Sequence, residues 1–374
     1  MGMSSDVGAS AEARRILACR HVRGEMHEQP DVLARLAHHV EHLAGQVGAL
    51  AAGHGGFRDV VFLAPEHARP VALLGRHAAA LRCGVPAAGH ARLVIAVSPS
   101  GDDDRVLELA HRALNAGSSA VVAVTNDPRS PLAHAATLSV DVAAGLELST
   151  SATKSVTGMM LAVLALVDGL PETRASVEGP PGTRAASGRR PAERIAEPAR
   201  AAALAETVAE LLADRDPADA AAARLVPARR IAVVGQGHHH PAALETARML
   251  RETAGLTVEG FSVEGFCSGP MAGFDAAAAV VLLAGRGHTA VRSLGARLTA
   301  RGARVIVLGD DPARGDDLLF PAVGGLGTVS ASAECILSTV RGQQLAVAAA
   351  RALGVDPDQP AGAAAAAGPH HRDH

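Results

Sequence analysis

The sequence predicts an α/β protein of two successive domains, and three observations carry that prediction. Short, uniformly apolar runs alternate with amphipathic helical segments. A Pro-, Gly- and Arg-rich stretch divides the chain near its middle, and the halves on either side echo one another. With 374 residues, 48% of them hydrophobic, the chain is long enough to bury two cores.

Six runs are the candidate strands: residues 60–64 (VVFLA), 93–97 (LVIAV), 120–124 (AVVAV), 232–234 (AVV), 279–284 (AVVLLA) and 305–308 (VIVL). Runs this short and this apolar suit strands of a parallel sheet buried on both faces, and their alternation with helices predicts βαβ units. The stretch 171–200 has no usable apolar period and reads as a linker or surface loop. Residues 201–212 then form a short helix leading into the second half. The resulting division is an N-terminal extension (1–24), a first domain (25–170), the linker (171–200), a second domain (201–360) and a low-complexity tail (361–374).

Composition narrows the function. The apolar fraction is rich in Ala and Val, with six Phe and no Trp or Tyr, so the cores rest on aliphatic packing. A net charge of -3 gives no reason to expect nucleic-acid or membrane-surface binding. Residues 159–167, the most apolar stretch, are too few to span a bilayer. Cys19, Cys83, Cys267 and Cys335 are scattered without a C-x-x-C pair, which reads as reduced thiols in a cytoplasmic protein. The N-terminus lacks the apolar core of a signal peptide.

Two polar, Gly-bearing turns follow candidate strands: Val97-Ser98-Pro99-Ser100-Gly101 in the first half and Val234-Gly235-Gln236-Gly237-His238 in the second. Open α/β sheets bind ligands at such turns. Hydroxyls and free N–H groups at a helix N-terminus make an anion- or hydroxyl-binding cradle, although Ser and Asp there also serve as ordinary helix caps.

Further segments stand in a fixed order around these turns: Glu25-Met26-His27-Glu28-Gln29-Pro30, residues 124–133 (VTNDPRSPLA), residues 147–155 (ELSTSATKS), residues 243–253 (ALETARMLRET), Phe266-Cys267-Ser268-Gly269-Pro270 and residues 353–360 (LGVDPDQP). Together they resemble the double sugar-isomerase (SIS) domain family, typified by the isomerase half of glucosamine-6-phosphate synthase and its stand-alone relatives. The resemblance runs from Glu25 to Pro360 and implies two tandem SIS domains. Each would be a parallel five-stranded sheet flanked by helices, a flavodoxin-like three-layer sandwich. It also implies a homodimer, because the family builds its sites between subunits, and a sugar or sugar-phosphate-like ligand. No cofactor or metal is expected. The chain does not begin with a nucleophilic Cys, so no glutaminase activity is expected of it.

Carried over residue by residue, the resemblance marks both retained and altered positions. The family's first phosphate loop corresponds to Ala64-Pro65-Glu66-His67-Ala68-Arg69-Pro70. Its hydroxyls are gone, leaving His67 and Arg69 to attract a displaced anion, or a loop that no longer touches ligand. The second loop keeps Ser98 and Ser100 but has Asp103 where a hydroxyl is usual, which weakens phosphate binding or changes the ligand. Glu147, Ser149, Thr153 and Lys154 match the segment lining the sugar site, with Thr153 the candidate for direct contact. Glu252 matches the family's catalytic Glu, a suitable base for moving a proton between adjacent carbons. The family's His before Gly-Pro is Ser268, and a Lys three residues before the Glu is Met249. The tail Lys falls in the 363–365 Ala run. Ordinary fructose-6-phosphate isomerisation is therefore not expected. An added run, His238-His239-His240, offers either a new acid/base, with His239 as candidate, or an exposed loop.

These features imply an enzyme of carboxylate-catalysed proton transfer beside a carbonyl or imine, by isomerase, deaminase, deglycase or elimination chemistry. The alternative is a non-catalytic carbohydrate-derivative-binding or regulatory protein.

Overall fold

The computed structural model describes residues 19–83, 91–117, 119–171, 194–285, 289–309, 318–320, 330 and 332–358. Three helices lead in: α1 (Arg20–His27), α2 (Gln29–Ala37) and α3 (Val40–Gly53). Strands β1 (Phe57–Leu63), β2 (Ala91–Val97), β3 (Ser119–Thr125) and β4 (Leu138–Asp141) follow, interleaved with α4 (Arg69–Cys83), α5 (Asp104–Asn115) and α6 (Pro131–Ala135). Helix α7 (Lys154–Asp168) ends this half. The second half starts with α8 (Pro198–Ala213) and α9 (Asp216–Leu225). It continues with β5 (Arg230–Gly235), α10 (His239–Ala254), β6 (Val258–Ser262), α11 (Val263–Cys267), β7 (Ala278–Ala284), α12 (Thr289–Ala300), β8 (Arg304–Gly309), β9 (Leu318–Phe320) and α13 (Glu334–Leu353).

Every strand pairing is parallel. The first sheet has the order β1-β2-β3-β4 and the second β6-β5-β7-β8-β9. The second order is the flavodoxin-like doubly wound one, with its reversal between β5 and β7. The expected five strands are present in the second sheet, whereas the first has four among the described residues. Five of the six candidate runs lie wholly inside strands, and the first, 60–64, overruns β1 by Ala64. Strands β4, β6 and β9 were not expected from sequence. Two of them, β4 (LSVD) and β6 (VEGFS), alternate apolar with polar or small residues and are half exposed, so they lack the uniformly apolar signal of a central strand.

Alternation along the central strands allots side chains to two faces. Leu93, Ile95 and Val97 of β2 and Ala120, Val122 and Val124 of β3 enter the main core, while Val94, Ala96, Val121 and Ala123 face a smaller cluster under α5 and α6. In the second sheet Ile231, Val233, Ala279 and Val281 enter the same main core, and Ala232, Val234, Val280 and Leu282 the outer one. One continuous core thus joins both halves through α7, α10 and α13. Helix α7 is buried from Lys154 to Val167 and α13 from Cys335 to Ala350, so neither has a solvent stripe. Close packing of α10 on α13 requires Gly342, since a Cβ there would lie 2.0 Å from Thr246 Oγ1. The left-handed Gly255 and Gly354 terminate these two helices.

Helix α8 starts earlier than the expected 201–212, at Pro198, and packs on α2 as well as α13. The ends of the described chain meet: Asp358 accepts from the N–H groups of His21 (2.7 Å) and Val22 (3.0 Å), and Asp356 from that of Cys19 (3.1 Å). Among the described residues no helix is long and apolar enough to cross a membrane. Most of the 171–200 linker, and the whole 361–374 tail, lie outside the described residues.

Candidate functional site

The loops after β2, β3 and β4 gather at the C-terminal edge of the first sheet. Ser98 is buried, and its Oγ accepts from the Gly101 N–H at 3.1 Å. Gly101 has φ +66°, and a Cβ on it would lie 2.1 Å from Ser130 Oγ, so this turn accepts no side chain. Ser100 Oγ donates to Asp102, and the Asp103 carboxylate caps α5 by accepting from Val106 N–H at 2.8 Å. The capping role is thus filled by Asp103, which directs its charge at the helix N-terminus. The loop after β3 braces the turn: Thr125 Oγ1 and Asn126 N–H donate to the Pro99 carbonyl at 3.1 and 2.9 Å.

Asn126 also carries the connection onward, donating to the Gly145 carbonyl and accepting from Ala144 N–H, both at 2.8 Å. Glu147 then caps α7, accepting from Thr153 N–H (2.8 Å), Ser155 N–H (3.3 Å) and Ser155 Oγ. Ser149 Oγ donates to the Ser151 carbonyl at 2.8 Å. Glu25, reaching in from α1, accepts from the N–H groups of Leu148 and Ser149. Lys154 is buried and paired with Glu28. Glu147 and Ser149 therefore hold the loop together, Glu25 ties it to α1, and Lys154 ties it to Glu28 at the α1–α2 junction. Thr153 Oγ1 and Ser151 Oγ, both buried, are left without a hydrogen-bond partner among the described residues. A buried hydroxyl is ordinarily satisfied, and these two converge on one loop.

The second half reaches this loop through α10. Arg248 grips Glu245 with two nitrogens, binds Glu252 with a third contact, and donates to the Ala152 carbonyl at 3.1 Å. Burial by itself would weaken the Arg248 cation, but the two carboxylates more than offset it and hold its pKa above the ordinary value. Glu252 is partly exposed, so a carboxylate accessible to solvent sits one residue contact from Ala152 and Thr153. Sequence reading passed over Arg248. Its signal was the Glu245/Arg248/Glu252 spacing of three and four residues, which puts the charges on one helix face.

Other expected site residues lie apart. His239 is buried at the start of α10, with Nδ1 3.0 Å from Ser338 Oγ and Nε2 3.5 Å from Glu334. Thirteen residues separate it from Glu252 on one helix, about 20 Å at ~1.5 Å per residue, so within one chain the two do not meet on a substrate atom. Ser268 ends α11, its Oγ donating to the Gly265 carbonyl at 2.8 Å. It lies beyond the C-terminal end of β6, whereas Glu252 lies before the start of that strand. In the loop after β1, His67 is exposed and Arg69 pairs with Glu66 at 3.1 Å on the surface. His238 meets His77 of α4 edge-on and His240 meets it at a tilt, with ring centroids 6.5 and 6.3 Å apart, so they form a contact between the halves rather than an exposed loop. Among the described residues no group of His, Cys, Asp or Glu is arranged to hold a metal ion.

Two stacked parallel α/β units with hydroxyl-bearing turns at strand ends define a sugar-isomerase-type architecture. The chain belongs to the SIS domain family, whose model matches residues 66–168 and 224–314. It is 28% identical over 284 residues to the isomerizing glutamine–fructose-6-phosphate aminotransferase of Mycolicibacterium smegmatis, an alignment covering 74% of this chain and 43% of that protein. The corresponding Zymomonas mobilis enzyme is also 28% identical, over 277 residues. The chain thus spans less than half the length of these curated relatives. The same fold is seen in the C-terminal domain of glucosamine-fructose-6-phosphate aminotransferase from Francisella tularensis (TM-score 0.72, 15% identity, 91% of this chain and 98% of that one). It recurs in tagatose-6-phosphate ketose/aldose isomerase from Escherichia coli (TM-score 0.70, 17% identity, 90% and 94%).

Proposed function

We propose that the protein binds a sugar or sugar-phosphate derivative and catalyses proton transfer beside a carbonyl or imine, with Glu252 as the base. Isomerisation, deamination, deglycation and elimination share this step. One observation carries the reading. The accessible Glu252 carboxylate is held by a buried arginine whose other side grips the Ala152 carbonyl, next to the unpartnered hydroxyls of Ser151 and Thr153. In this arrangement the hydroxyl loop orients the ligand, Glu252 takes a proton from carbon and returns it to the neighbouring atom, and the Arg248 cation faces the charge that develops. Asp103 and the exposed Glu66 place carboxylates beside both phosphate-loop positions, which favours a ligand with less negative charge than a hexose 6-phosphate dianion.

The test is a turnover screen over hexose phosphates, amino sugars and unphosphorylated sugars. Glu252→Gln is expected to cut any turnover by about 100-fold or more; undiminished turnover removes Glu252 from the mechanism. Non-catalytic binding is the second reading, favoured by Ser268, whose hydroxyl is spent on its own helix end and replaces an acid/base group. It predicts ligand-dependent thermal stabilisation without turnover in every arm. The separation of Ser268 from Glu252 by the length of β6 also favours a homodimer, in which a second copy brings the missing edge to the site. Light scattering is expected to give twice the chain mass.

A further inference from the structure

We propose that the pocket between α1, α8, α9 and α13 binds a small oxyanion, a phosphate or carboxylate group, at a site separate from the loops described above. The pocket is a half-open cleft with a cavity volume of about 40 Å³. Met26, Leu212 and Val347 contribute an apolar wall, and Arg23, Arg215, Arg351 and His27 supply its basic groups. Asp219 is the single carboxylate lining it, and that group is taken by Arg351 at 3.3 Å. Neither Arg23 nor Arg215 has a carboxylate partner among the described residues.

The polar contacts show unused donor capacity. Arg215 Nη2 stands 2.6 Å from His27 Nε2, so the guanidinium donates to a ring nitrogen, and His27 must be neutral with its proton on Nδ1. Burial, then Arg215 and Arg23, push the His27 pKa down, in keeping with that tautomer. Burial, then the like charges of Arg215 and Arg351, weaken the Arg23 cation. Three guanidinium groups, from α1, the α8–α9 junction and α13, therefore converge on one apolar-walled pocket at a cost in repulsion. An oxyanion supplies what the chain does not: two or three acceptor atoms in the spacing of a guanidinium fork, and charge of the opposite sign. The apolar wall accommodates a short carbon body attached to it. Helix α1 faces both ways, since its Glu25 serves the hydroxyl loop while Arg23 and His27 serve this pocket.

Calorimetric titration at constant ionic strength, with inorganic phosphate in one arm and hexanoate in the other, tests the site on the full chain. Saturable binding is expected in at least one arm, with the arm that binds naming the anion. Affinity is expected to fall at least 10-fold in Arg23→Gln and in Arg215→Gln, to fall less in Arg215→Lys, and to stay unchanged in Ser98→Ala. Melting curves check that the variants fold, and the Lys variant, which keeps the charge, stands in if a Gln variant does not. Absence of saturable binding in both arms overturns the proposal. So does binding that survives the arginine substitutions, or that disappears in Ser98→Ala and thereby belongs to the turn after β2.

Discussion

Residue by residue, the site shows how a buried charge is tolerated. Glu245 is almost fully enclosed and survives because Arg248 meets it with two nitrogens. Removing the arginine leaves a buried carboxylate unpaired, which costs about 3–5 kcal/mol. Arg248→Met is therefore expected to lower the melting temperature sharply, and Arg248→Met with Glu245→Leu to recover most of the loss; a melt of both variants checks this. Gly101→Ala meets Ser130 Oγ at a left-handed backbone position and is expected to destabilise by about 1–3 kcal/mol, read by denaturant titration. Thiol reactivity sorts by burial. Cys335 is pushed up to about 12 by burial, and Cys19 to about 11 by burial with Asp356 and Asp358 adding. Alkylation of the native protein is expected at the exposed Cys267 well before Cys19 or Cys335, as peptide mapping would show.

At the scale of elements, helix ends carry much of the construction. Asp103 caps α5, Ser130 caps α6 ahead of Pro131, and Glu147 caps α7 from six residues upstream. The N-terminus of α1 is satisfied by Asp356 and Asp358, over 330 residues away in sequence. Asp358→Ala is expected to cost about 0.5–2 kcal/mol and to speed amide exchange at His21 and Val22. The histidine contact between α4 and the start of α10 adds a pH dependence. Burial lowers the pKa of both His77 and His240 below the ordinary 6.5, with charged neighbours acting second on His240. The unfolded chain then binds more protons than the folded one, so their contribution is present above pH 6.5 and declines as pH falls below it. Thermal melts between pH 7.5 and 5.5 are expected to show this decline, flattened in His77→Gln.

Much of this element-level structure was legible and some was not, for identifiable reasons. The doubly buried strands β2, β3, β5, β7 and β8 declare themselves by unbroken apolar runs, and Gly101 marks a turn at the right place. Strands β4 and β6 stay hidden because edge positions tolerate polar residues. Ser98, Thr153 and Glu252 were named from motif alone, and the structure links all three segments through Pro99, Asn126, Glu147 and Arg248. The structure adds that Asp103 and Glu147 serve as caps, a role the sequence does not separate from ligand binding because a capping carboxylate and a ligand-binding one look alike in a string of letters.

The whole molecule is organised around one core. Because α7, α10 and α13 bury residues against both sheets, the two halves share their hydrophobic interior. A single cooperative melting transition is expected by calorimetry, with no separate step for either half; two resolved transitions would contradict the shared core. Sequence by itself determined the parallel α/β class, the tandem repeat and the family, and singled out the hydroxyl loop and Glu252 as candidates, because apolar period and turn chemistry are local properties. Tertiary structure alone decided that Arg248 joins Glu252 to the Thr153 loop, that His239 is a buried helix contact, and that three arginines converge on one pocket. Those facts depend on which elements meet across hundreds of residues, and no local pattern records that.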